Sequence, residues 1–253
     1  MSSRDRPRAL LLHSGGLSAR QWRRLGEALA PTHEVLAPDL IGYGAAGVYP
    51  IGQPFHFRQD VARLVELVGD GEPVDIVGHS YGGLLALQLA LAQPARVRSL
   101  ALYEPVAFGV LDGPGDAEAH AALEAFEPYR AGPEPDTAWL TAFVDWWNGP
   151  GAWTALAEPV RASFRAVGWK LSEEVTSLIA DRTSSATYAT ITAPTLLLGG
   201  DRSPAAERRT LERLAASLPN ATLTLFPGLG HMGPISHGAL VDAAIVAFLR
   251  ARP

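Results

Sequence analysis

Hydrophobic positions along this chain follow two alternating rhythms. Short, nearly continuous apolar runs occur at 8–13 (RALLLH), 33–39 (HEVLAPD), 73–78 (PVDIVG), 97–104 (VRSLALYE), 193–200 (APTLLLGG) and 221–228 (ATLTLFPG). Each is bounded by Gly, Pro or Asp and reads as a strand buried on both faces of a sheet. Between them, apolar residues recur at helical spacing over 19–30, 56–69, 82–93, 204–217 and 237–251. This alternation predicts an α/β fold, with a mostly parallel sheet of about six strands flanked by helices and joined by right-handed crossovers. No internal repeat interrupts it.

The alternation breaks between 106 and 190, where Gly/Pro-rich turns separate helical pieces and no strand pattern appears. The chain thus divides into a core over 1–105 and 191–253 and an inserted helical segment over 106–190. An insertion between two strands of a parallel sheet leaves from their carboxyl ends, where such sheets bind ligands. Five of the six tryptophans lie in it: Trp139, Trp146, Trp147, Trp153 and Trp169. Some are expected to form the insertion's own core and others to line an apolar pocket. The run VDWWN (144–148) sits at helical spacing and reads as packing.

Composition narrows the function. Apolar residues make up 47% of the 253 residues and charged residues 19%, the balance of a globular chain with a sizeable core. A net charge of -5 with no basic cluster argues against nucleic-acid binding. Lys170 is the only lysine, a bias read as genome composition rather than mechanism. With no cysteine there is no disulfide, thiolate metal site or cysteine nucleophile. The first apolar run is too short for a signal peptide, and no run approaches the ~20 residues needed to span a bilayer. The expectation is a soluble, cytoplasmic protein, monomer or homodimer, with no membrane or nucleic-acid partner.

One stretch carries chemistry. VDIVGHSYGG (74–83) places Gly78-x-Ser80-x-Gly82 between an apolar strand and an Ala/Leu-rich helix, the strand–turn–helix setting of a nucleophile elbow. A serine at the tip of so sharp a turn needs small neighbours, because side chains at the flanking positions would strike strand and helix. Its hydroxyl is a weak nucleophile and requires a base, an orienting acid and an oxyanion hole. Of seven histidines, His231 lies in FPGLGHMGP, after the last strand and before the last helix, where it reaches back toward Ser80. His79 adjoins the serine and is expected to point away. The N–H of Tyr81 and one from the loop 13–18, taken as Gly15, are the expected oxyanion donors.

The ordered set LLHSGG, PDLIGYG, VGHSYGG, LYEP and GLGHMGP resembles the α/β-hydrolase superfamily over nearly the whole chain. The resemblance implies a serine-nucleophile member with 106–190 as a helical cap. Two features depart from the family pattern. Few residues precede the first apolar run, so the family's first two strands are expected to be missing. The loop after it reads His-Ser-Gly-Gly rather than His-Gly.

The resemblance also frames the question of the acid. Most members carry it after the seventh strand, and there this chain reads Gly200-Asp201-Arg202-Ser203-Pro204. Ser203 stands at the acid's position, and Asp201 comes two residues early. A minority of members place the acid at the end of the sixth strand, which here delivers Glu104. A glutamate closing an apolar strand is costly to desolvate without a partner, and pairing with His231 would account for it. Glu104 is therefore preferred and Asp201 is the alternative. Asp39 is assigned to fixing a turn, and Asp60 and Glu66 to the solvent side of a helix.

The expected activity is a cofactor-free, metal-free serine hydrolase acting on a small ester or lactone with an apolar portion. Alternatives are C–C bond hydrolysis of a diketone with the same triad, and a non-hydrolytic ligand-binding or biosynthetic role. No phosphate loop or metal-ligand cluster is present.

Overall fold

The computed structural model describes residues 6–124, 128–132 and 134–251. In chain order its strands are β1 (Arg8–Leu12), β2 (Glu34–Leu36), β3 (Val74–His79), β4 (Val97–Tyr103), β5 (Thr195–Gly200) and β6 (Ala221–Phe226). They form one open sheet in the order β2-β1-β3-β4-β5-β6, parallel throughout. The first helices are α1 (Arg23–Leu29), α2 (Arg58–Val68) and α3 (Tyr81–Ala92). Between β4 and β5 come α4 (Ala117–Glu124), α5 (Thr137–Asn148), α6 (Ala152–Ala155), α7 (Glu158–Ile179) and α8 (Ser185–Tyr188). Helices α9 (Ala205–Ser217), α10 (Gly233–Ser236) and α11 (Gly238–Arg250) complete the fold.

Successive residues of one strand face opposite sides of a sheet, and the core divides accordingly. Leu10, Leu12, Ile76, Leu100 and Leu102 pack on one face with Leu64, Leu84 and Leu211. Ala9, Leu11, Val77, Ala101 and Leu198 pack on the other with Trp22, Leu25, Val241 and Ile245. Each fully buried Leu or Ile contributes about 1.5–3 kcal/mol. Not every strand is buried on both faces as its composition suggested. β6 exposes Thr222, Thr224 and Leu225, and β2 exposes Glu34. Both are edge strands, where the flanking helices no longer cover the two faces.

The insertion has its own apolar cluster of Trp139, Leu140, Val144, Trp153, Leu171 and Val175. It is tied to the core by buried Asp116, which accepts from Arg209 Nε at 2.7 Å and Arg213 Nε at 2.9 Å, both on α9. Among the described residues no helix is long and apolar enough to cross a membrane.

Register sets the location of the site. Leu12 pairs with Gly78, His79 with Tyr103, and Tyr103 with Leu198. The residues after β1, β3 and β4 therefore leave at the carboxyl end of the sheet, bringing 13–17, Ser80 and Glu104 together.

Candidate active site

Ser80 turns the chain from β3 into α3 with φ 56° and ψ −118°. Glu104, at the end of β4, has φ 44°, and these two are the only non-glycine residues with positive φ among those described. Such conformations cost roughly 1–3 kcal/mol each and persist where the surroundings over-determine them. Here Ser80 N–H donates to Tyr103 O and Glu104 N–H to Leu198 O, each at 2.9 Å. The glycines around the turn are sterically required. A Cβ on Gly78 would lie 2.5 Å from Gly82 O, one on Gly82 would strike Leu12 O, and one on Gly83 would lie 2.7 Å from Pro105 Cβ.

The buried side chains of Ser80, His231 and Glu104 form one hydrogen-bonded line. His231 Nδ1 lies 2.7 Å from Glu104 Oε2, and its Nε2 lies 2.9 Å from Ser80 Oγ. A carboxylate only accepts, so the ring proton sits on Nδ1 and Nε2 is left to accept from the serine hydroxyl. Glu104 Oε1 also accepts from Gly200 N–H at 2.7 Å and from Ser203 Oγ at 2.6 Å. The carboxylate is fully buried yet has three donors, which offsets much of its desolvation cost. Ser203, in the segment after β5 where the resemblance leads one to look for the acid, thus contacts the acid candidate itself. Asp201 is exposed and accepts from Gly228 N–H at 2.8 Å, joining the loops after β5 and β6, and makes no hydrogen bond to His231 among the described residues.

Backbone donors face the same space. In the loop after β1, Ser14 N–H donates to Gln21 Oε1 at 3.0 Å and Leu17 N–H to Ser14 O at 3.2 Å. Gly15 N–H makes no hydrogen bond among the described residues, and neither does Tyr81 N–H at the start of α3. Gly15, Ser80, Tyr81 and His231 open onto a cavity of about 650 Å³. Its walls are mainly apolar side chains of the insertion, including Phe143, Trp146, Trp147, Phe164 and Leu171.

Several supporting residues were not anticipated. The Trp147 indole stacks on the His231 ring with centroids 3.6 Å apart and planes at 19°. The run VDWWN therefore packs on the site itself, whereas Trp139 and Trp153 stay in the insertion's own cluster. His79 points away from the cavity as expected, but it does not idle: its Nε2–H donates to His231 O at 2.8 Å, and its Nδ1 accepts from Gln21 Nε2 at 3.0 Å. Burial holds its pKa well below the ordinary histidine range, so the ring is a neutral link between the loop after β1 and the loop carrying His231. His13 is lowered to about 4 by burial and bridges Ser14 O and Leu40 N–H. Asp39 accepts from Ala19 N–H and Ala45 N–H, each at 2.7 Å, the turn-fixing arrangement foreseen.

Asp60 requires a correction. It is 1% exposed rather than solvent-facing, and its carboxylate accepts from Tyr81 Oη at 2.8 Å and Ile41 N–H at 2.9 Å. Its spacing marked this in advance, because Asp60, Leu64 and Val68 recur at four-residue intervals on the buried stripe of α2. Glu66, on the same helix, is exposed as expected.

Residues 9–244 match the family model described as the alpha/beta hydrolase family. The chain belongs to this family. Its sequence is 28% identical over 242 residues to a pimeloyl-acyl-carrier-protein methyl ester esterase of Chromobacterium violaceum, covering 91% of this chain and 89% of that protein. It is 35% identical over 156 residues to lipase LipV of Mycobacterium tuberculosis, 60% of this chain and 54% of that protein, so the match spans about half of that relative. A hydrolase from Pseudomonas aeruginosa PA01 has the same fold, with a TM-score of 0.68 and 27% identity over 97% of this chain and 90% of that one. Among the described residues, no group of three His, Cys, Asp or Glu side chains could hold a metal ion.

Proposed function

We propose that this alpha/beta hydrolase cleaves carboxylic esters or lactones through an acyl-enzyme on Ser80. The observation that carries this reading is the unbroken line Glu104–His231–Ser80, at 2.7 and 2.9 Å, ending at an apolar cavity. Ser80 Oγ attacks the acyl carbon as His231 Nε2 takes the hydroxyl proton. The negative charge that develops on the carbonyl oxygen is met by the N–H groups of Gly15 and Tyr81. Collapse of the tetrahedral intermediate expels the alkoxide, which receives the proton from His231. A water molecule then gives a proton to His231 and attacks the acyl-enzyme, releasing the acid and restoring Ser80. Glu104 fixes the tautomer and compensates the imidazolium.

In this reading 106–190 is a cap that sets the substrate's apolar character. Besides the indole N–H groups of Trp146 and Trp147, its polar contributions to the cavity wall are Asn148, whose Nδ2 donates to Val144 O at 2.9 Å, and Glu174, which is bound by Lys170 and Tyr43. A wall so poor in free polar groups favours an ester over a diketone that must be held while it ketonises. The relatives named as an esterase and a lipase support the same choice.

The test is a p-nitrophenyl ester series from acetate to decanoate, run beside an aliphatic lactone and a vinylogous diketone. We expect kcat/KM to rise with acyl length until the cavity is filled and then to fall. Turnover of the diketone alone would replace ester cleavage with C–C hydrolysis.

A further inference from the structure

Lys170, the chain's single lysine, lies on α7 with its side chain 1% exposed. Its ammonium pairs with Glu174, one turn further along, and with Asp60 Oδ2 at 3.3 Å. Three rings surround it, with centroids of Tyr43, Phe55 and Tyr81 at 4.4, 4.2 and 4.8 Å. Aromatic faces attract a desolvated cation. From this centre, two arms lead toward the two residues that carry the backbone donors. In one, Glu174 Oε2 accepts from Tyr43 Oη at 2.7 Å, and the same α7 packs on the turn itself: a Cβ on Gly15 would lie 3.1 Å from Leu171 Cδ1 and one on Gly16 2.6 Å from Phe164 Cε1. In the other, Asp60 Oδ2 accepts from Tyr81 Oη at 2.8 Å.

We propose that Lys170 is a positioning residue for the oxyanion hole, through which docking of α7 sets both the Gly15–Gly16 turn and the Tyr81 end of α3. The inference rests on the assignment of Gly15 and Tyr81 as oxyanion donors. Stability alone explains the cluster poorly, because buried ion pairs are commonly replaceable by packed apolar side chains without loss. Electrostatics gives it a use. Glu174 lines the cavity, and its Oε2 lies 2.8 Å from where a Cβ on Gly15 would stand. An uncompensated carboxylate there would repel the oxyanion that Gly15 is meant to hold, and the ammonium offsets that charge. Burial raises Glu174 to about 7, against the opposing pull of Lys170 and Tyr43, which fits a carboxyl whose charge depends on its partners. The same helix also grips the wall beside the cluster: Glu173 accepts from Phe55 N–H at 2.9 Å and Ser177 Oγ from Phe57 N–H at 3.3 Å.

The test compares Lys170→Met, which keeps length and apolar volume, with wild type, using rates per active site titrated with a fluorophosphonate. An alkyl trifluoromethyl ketone, which forms a hemiketal oxyanion on the serine, is measured beside the matching methyl ketone. Loss of one oxyanion donor typically costs about 10²–10³-fold in kcat, and we expect Lys170→Met to lose roughly 10- to 100-fold. Trifluoromethyl ketone affinity should fall by the same factor, while KM and methyl ketone affinity change little. Tyr43→Phe, which keeps the ring and breaks one arm, should show the same split at smaller amplitude, and it carries the test if Lys170→Met does not fold. Unchanged kcat per titrated site, or equal loss for both ketones, would reduce the cluster to a brace and overturn the proposal alone. A wild type that hydrolyses esters yet does not prefer the trifluoromethyl ketone would remove the oxyanion assignment, and the proposal with it.

Discussion

Alanine at position 80 is expected to abolish ester turnover, with kcat falling on the order of 10⁴- to 10⁶-fold. Ser80 Oγ lies 2.9 Å from His231 Nε2, and no other hydroxyl in the described structure is hydrogen-bonded to that nitrogen. Removing one oxygen leaves the apolar walls intact, so KM and product affinity should stay close to wild type. The residual rate would come from the free backbone donors and substrate binding. Stopped-flow release of p-nitrophenol provides the check: the wild-type burst, one equivalent per site if deacylation is slow, should be missing in the variant. Comparable turnover in both proteins would mean that His231 activates water directly and that the strained turn at Ser80 has some other purpose.

The second large effect is expected at Glu104. Glutamine there keeps the size, and its orientation follows from the surroundings. Gly200 N–H and Ser203 Oγ–H both need an acceptor at the Oε1 position, so the amide oxygen should take that place. The amide NH₂ then faces His231 Nδ1, which must accept, and the ring proton moves to Nε2, opposite Ser80. In that tautomer the histidine cannot take the serine's proton, a defect worth about 10⁴-fold in kcat. Asp201→Ala removes only an exposed acceptor for Gly228 N–H and should leave kcat within about threefold of wild type. Ser203→Ala should fall between these, because Glu104 keeps two of its three donors. Steady-state kcat for the three variants gives the ranking, and a larger loss at Asp201 than at Glu104 would overturn the choice of acid.

Much of this was legible in the chain. The six strands lie close to where short apolar runs predicted them, and for the four inner strands the reason is that a strand covered on both faces cannot carry many polar residues. Ser80 could be found because the turn excludes side chains at Gly78 and Gly82, and that exclusion is written as glycine. Glu104 comes from the resemblance, in which a minority of members carry the acid at the end of the sixth strand, and from the cost of a lone carboxylate there, which its three donors offset. The remainder depends on contacts between distant elements. In the chain Lys170 reads as compositional bias, since Asp60, Tyr43 and Tyr81 lie in elements far earlier in the sequence. Ser203 reads as a missing acid in the sequence because a motif records a position and not what the side chain touches. Trp147 and Trp153 share a composition but face different surroundings, and only the packing of α5 tells them apart.

The central claim is that Ser80 is an activated nucleophile. Its most direct test is covalent: wild type, Ser80→Ala and His231→Ala are incubated with an alkyl fluorophosphonate, followed by intact mass and peptide mapping. The account predicts one adduct per wild-type chain, on the peptide spanning Ser80, with none on Ser80→Ala and much slower labelling of His231→Ala. A wild type that turns over esters but stays unlabelled, or is labelled at another residue, would contradict it.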